Sequence, residues 1–183
     1  MVLKKNFVLM AGEATVLDPP NKLETCAETE IVLGKVKGPV GYAFANLLGS
    51  QVFGHTRMLA LLNVNCMVRP PTIMVPKVTM KRKSYIELFG GPVQAGTAKA
   101  VVDCVEEGII PEDMVNDLVI IALIWLDPKA TTEDNILYNK DEIYKNNYEA
   151  TKLAIKRAVR NEPSIHELLE IKEKIRHCLY SPK

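Results

Sequence analysis

Two pairs of polar residues at alternate positions, and one loop histidine, are where this chain could do chemistry. Glu28 and Glu30 alternate with Ala27, Thr29 and Ile31, and Lys77 and Thr79 alternate with Pro76, Val78 and Met80. On a strand, side chains two residues apart share a face, so the members of each pair point the same way. Paired carboxylates suit acid–base work, and a lysine beside a hydroxyl suits orienting a polar or anionic ligand. Both pairs are also what a solvated strand face looks like, because exposed Glu and Lys are common. His55, between Gly54 and Thr56, precedes an apolar run and has a better claim to function than His166 and His177 in the last helical stretch. The run Gly90–Gly91–Pro92–Val93–Gln94 can bring backbone N–H groups near a ligand, but it lacks Walker spacing and is a weak phosphate signal.

The elements that must hold these residues follow from periodicity and punctuation. Residues 7–16 read as a first strand, stopped by Asp18–Pro19–Pro20–Asn21, and residues 24–34 as a second that carries both glutamates on one face. Residues 40–48 have helical spacing and end at Gly49. The near-continuous apolar run 58–64 has the pattern of a central strand. Val68–Arg69–Pro70–Pro71 turns it toward 72–80, where Pro76 points to a sheet edge or a bulge. A helical turn over 84–89 is interrupted by Gly90–Gly91–Pro92, and a helix over 94–107 stops at Gly108. Residues 118–126 are nine apolar residues in a row and read as a buried strand, followed from Lys129 by a polar loop. A helix over 141–160 precedes a last one over 164–180, capped by Ser164. This order lacks regular βα alternation and favours an α+β two-layer sandwich.

Composition narrows the function classes. With 183 residues, 48% hydrophobic and 25% charged, the chain suits one domain, and a net charge of +1 gives no drive toward nucleic acid. Cys26, Cys66, Cys104 and Cys178 are scattered, with no CxxC and no histidine at ligand spacing, so no metal site is expected. A single tryptophan, Trp125, and 6% aromatic content argue against a stacking platform for single strands. The apolar run 7–11 is too short for a signal segment or a membrane span, so a cytoplasmic protein is expected.

Longer segments carry a resemblance. GEATVLD, AFAN, PTIMVPKVTM, ELFGGPVQAG, EEGIIPEDMVNDL and NYEATKLAIKRAV, spread over residues 12–163, resemble the formaldehyde-activating enzyme family. Membership implies condensation of formaldehyde with tetrahydromethanopterin, a co-substrate, to give methylene-tetrahydromethanopterin and water in one-carbon metabolism. It implies a fold similar to the second domain of ribosomal protein S5, here as residues 1–163 with a helical extension over 164–183. It also implies homopentamers with pterin sites between subunits. The family's pterin-contacting positions correspond to Glu30, Leu59, Lys77, Thr79 and Gln94, with Glu30 standing where aspartate is usual.

The departure is at the catalytic position. Where the family has a histidine credited as general acid, this chain has Glu28; the family's His–Gly–Phe is inverted to Phe53–Gly54–His55; and Ala95 replaces a histidine after the glutamine. Water leaves only if its oxygen receives a proton, and a positioned acid is worth about 10²–10⁴-fold. A carboxyl holds that proton when buried or beside another carboxylate such as Glu30, and an ammonium such as Lys77 works the other way. Glu28 and His55 are therefore the candidate catalytic residues. A non-catalytic paralogue that binds a pterin or formaldehyde for sensing or carriage is the alternative.

Overall fold

Strand β7 (Leu118–Leu126) is the axis of the fold, with seven of its nine residues buried. The computed structural model describes residues 7–20, 23–132 and 139–174. Among them a five-stranded sheet runs in the order β1 (Leu9–Val16), β2 (Ala27–Lys35), β7, β6 (Thr72–Pro76), β3 (Met58–Leu59). All neighbours are antiparallel except β6 and β7. The architecture is α+β with a mixed sheet.

One face of the sheet carries a layer of helices. Helix α4 (Lys140–Arg160) lies along β1 and β2 and packs on α3 (Gln94–Glu106). Its start is set by Asn139, whose side chain accepts from the Asp141 N–H, with Asp141 and Glu142 in the first turn and Arg157 and Arg160 in the last, charges that suit the helix dipole. Asn161, at φ 56°, ends it in the left-handed conformation that asparagine tolerates. On the other face α1 (Pro39–Gly49), with proline in its first turn, covers only one end through Val40, Phe44 and Leu47. The opposite end of that face is left open.

Three expectations are corrected. The run 58–64 is not a central strand: only Met58 and Leu59 join the main sheet, at its edge, and β4 (Leu61–Asn63) turns back on β5 (Cys66–Met67) as a separate ribbon. The turn places Asn65 at φ 63°, a conformation asparagine accepts readily. Gly90–Gly91–Pro92 does not interrupt the helix. Helix α2 (Lys83–Leu88) runs into α3 through one wide turn, Phe89–Val93, which accommodates a proline without an N–H and is anchored by fully buried Phe89 and Val93. The last helix, α5, spans Ile165–Ile171 and not 164–180, although Ser164 does cap it, in a capping box with Glu167. Residues 175–183, with His177 and Cys178, lie outside the described residues. Among the described residues no helix is long and apolar enough to cross a membrane.

Small residues let the helix layer sit close. A Cβ on Gly12 of β1 would collide with the backbone oxygen of Ala154 and come within 2.5 Å of the Ala158 nitrogen in α4. Backbone cannot move aside as a side-chain tip can. Gly12→Ala is therefore expected to destabilise the fold by about 1–3 kcal/mol, a loss of roughly 3–10 °C in Tm. Calorimetry that finds the Tm unchanged contradicts this packing.

Candidate functional site

The open end of the sheet gathers four side chains in two rows. Across β7, Glu28 stands opposite Trp125 and Glu30 opposite Leu123, while on the other side Val75 of β6 stands opposite Leu123. The Lys77 N–H bonds the Ile124 carbonyl at 2.9 Å, so β6 continues its register by one residue. Period two then puts Glu28, Glu30, Trp125 and Lys77 on one face. The Lys77 side chain reaches over β7 and donates to Glu28 and to Glu30, the latter at 2.7 Å. Only 27% of the lysine side chain is exposed, against 33% and 42% for the two glutamates. Two of the ammonium's three N–H groups are thereby used and one is left for a ligand.

The start of β2 is placed from behind. Buried Asn146 of α4 donates from one amide to the Asp18 carbonyl at 2.9 Å and the Thr25 carbonyl at 2.8 Å, clamping both ends of the link that leads to Glu28. Leu59 lies on the same sheet face as the triad of Lys77, Glu28 and Glu30, packed against the buried cluster of Val40, Ile73, Val119 and Ile121.

The other predicted residues fall elsewhere. His55 and Thr79 meet at 2.9 Å at the outer edge of β6, where the His55 ring also bonds the Pro76 carbonyl at 3.1 Å. Pro76 is at an edge in the sense that matters: β3 pairs with Ile73 and Met74 only, leaving Pro76 without a strand on that side. Gln94, at the start of α3, donates to the Met58 sulfur at 3.2 Å. Met58 packs toward the helix layer and its neighbour Leu59 toward the opposite face, so within one chain Gln94 is not brought to the triad. Ala95 and Phe53 are exposed, Phe53 almost completely.

Two residues escaped sequence reading. Glu13 of β1 stands opposite Glu30, accepts from the Thr15 hydroxyl at 2.9 Å, and lines a groove of about 430 Å³ with Glu30, Val32 and Leu123. Trp125 lies between Glu28 and Lys77 on the open face. A continuous apolar run does not reveal which of its residues face outward, and cross-strand opposition requires the register.

Burial works to lower the Lys77 pKa, and the hydrogen bonds and charges of Glu28 and Glu30 outweigh it, holding the ammonium above the ordinary 10.5. With a raised folded-state value, the associated stabilisation is complete below 10.5 and is lost as pH climbs through the folded value. Lys77→Met should cost about 0.5–1 kcal/mol at neutral pH. The gap between variant and wild type, followed by denaturant unfolding, should shrink above the ordinary lysine value; a gap unchanged to about pH 12 contradicts the pairing.

Comparison with known proteins agrees on one family. The family model described as formaldehyde-activating enzyme matches residues 11–180, past Pro163 and through the span of the last helix. The chain is 44% identical over 151 residues to a protein of Archaeoglobus fulgidus named bifunctional enzyme Fae/Hps, covering 82% of this chain and 36% of that protein. It is similarly 44% identical over 153 residues to a protein of the same name from Methanosarcina acetivorans, 84% of this chain and 37% of the relative. A third, from Methanococcoides burtonii, is 39% identical over 172 residues, 94% of this chain and 41% of the relative. The chain thus spans well under half the length of these curated relatives. It belongs to the formaldehyde-activating enzyme family.

Proposed function

We propose that the chain condenses formaldehyde with tetrahydromethanopterin, and that the triad of Lys77, Glu28 and Glu30 on the open sheet face is the observation that carries this reading. The residues fit a reduced pterin. Glu30 is an acceptor for ring N–H groups, the third Lys77 N–H suits a ring carbonyl, and Leu59, Leu123 and Trp125 offer apolar area to a flat ring. Gln94, Thr79 and His55 lie away from the triad within one chain, which suits a site completed between subunits, as the family's pentamer implies.

The pterin supplies the nucleophilic nitrogen that attacks formaldehyde. Glu28, held by Lys77, is placed to accept the proton that this nitrogen sheds while the carbonyl oxygen takes one from solvent. It then gives its proton to the resulting hydroxyl, which leaves as water as the pterin's second nitrogen closes on the carbon and sheds its own proton to solvent. A carboxylate acting first as base and then as acid needs no proton of its own at rest, so its pairing with Lys77 does not disable it. Lys77 keeps the carboxylate in place, and the Asn146 clamp fixes the strand beneath it. His55, engaged at both ring nitrogens, is not free to serve as that acid.

Wild-type protein should exceed the spontaneous condensation rate, and Glu28→Gln should lower the catalysed rate by about 10²–10⁴-fold while leaving pterin binding in place. Glu28→His should retain or raise the rate. A wild-type rate no greater than the spontaneous one, with pterin still bound, supports instead a binding paralogue.

A further inference from the structure

We infer that His55 is a positioning residue that commits the Thr79 hydroxyl proton to itself, making Thr79 an acceptor-only contact that selects a ligand N–H donor. The inference rests on the pterin reading above and assigns one edge of that ligand: a group such as a ring or exocyclic N–H, and not a carbonyl, is taken at Thr79.

The polarity follows from the Pro76 carbonyl. A trans peptide points its C=O and the next N–H in opposite directions; since the Lys77 N–H faces β7, the Pro76 carbonyl faces the edge that β3 leaves empty. His55 fills that edge with Nδ1 at 3.1 Å. A carbonyl oxygen only accepts, so Nδ1 carries the proton, and in the neutral ring Nε2 is then the acceptor. Nε2 lies 2.9 Å from Thr79 Oγ1, and the single hydroxyl proton goes there. What remains on Thr79 is lone-pair capacity, on an exposed residue two positions from donor-only Lys77.

The loop is held in the pose that this requires. The His55 N–H bonds the Val52 carbonyl at 2.9 Å, and the Gly54 carbonyl accepts from the Met80 N–H at 2.6 Å. Gly54 has φ +73°, and a Cβ there would stand 2.6 Å from the Thr79 methyl, so both the conformation and the approach call for glycine. Thr79 and His55 are thus fixed from two sides, with the lone-pair face of Thr79 left to a ligand.

Tetrahydromethanopterin binding, measured by calorimetry on His55→Ala, Thr79→Val and the double variant, tests this, with Tm followed in parallel. Each single change should weaken binding by about three- to tenfold, the size of one neutral hydrogen bond. The double variant should bind no worse than Thr79→Val, and His55→Gln, which can still accept from the hydroxyl, should recover part of the loss. If His55→Ala costs the same with and without the Thr79 hydroxyl, His55 only holds the loop and the inference is overturned. Nitrogen NMR of the His55 ring gives an answer that does not depend on the pterin. A protonated Nδ1 and a bare Nε2 whose shift moves on Thr79→Val support the assignment, and a neutral ring protonated at Nε2 overturns it. Wild type that binds no pterin yet shows the expected tautomer removes the pterin reading while upholding the acceptor character of Thr79.

Discussion

The site depends on one constraint: its charges lie on strands that are not neighbours. Glu28 and Glu30 belong to β2, Lys77 follows β6, and the buried strand β7 separates them. Only a long, flexible side chain on the outermost row can cross that gap, and it can do so only where α1 does not cover the sheet. The uncovered end of the face is therefore a condition of the triad, and Trp125 and Leu123 of β7 are the residues that lie between the lysine and the two glutamates. An arginine would offer a planar fork in place of a point charge, a poor match for two carboxylates on alternate positions of one strand.

Much of this was legible because β2 is half-buried. Its alternation of Ala27, Thr29, Ile31 and Leu33 with Glu28, Glu30 and Val32 marks two faces, and the burial pattern follows it residue by residue. Alternation was silent for β7, where both faces are apolar and Trp125 could not be assigned to the open side. It misled at 58–64, where an apolar run that looks like a central strand is cut in two by a hairpin turn at Asn65. Nor does any local pattern say that Glu13 faces Glu30, or that Pro92 sits within a continuous helix, because both depend on contacts distant in sequence.

The segments that most strongly carry the family resemblance lie outside the triad. NYEATK supplies Tyr148, which donates to Asp103 of α3 at 2.8 Å, and Lys152, which pairs at 2.5 Å with Glu107 from EEGIIP. Burial works to raise the Asp103 pKa, but bonds from Lys99 and Tyr148 prevail and hold it below the ordinary carboxylate value. These two stretches thus fasten α3 to α4.

The edges of the sheet carry a further meaning. On the β6 side, the backbone position that an added strand would use is filled by an imidazole and preceded by β3; on the β1 side, the Glu13 carbonyl is taken at 2.8 Å by the Arg157 guanidinium. Side chains plugging exposed ladder groups are a known defence against edge-to-edge aggregation. At these two points a second copy of the chain is denied continuation of the sheet, so subunits that meet there must recognise one another by side-chain shape and charge.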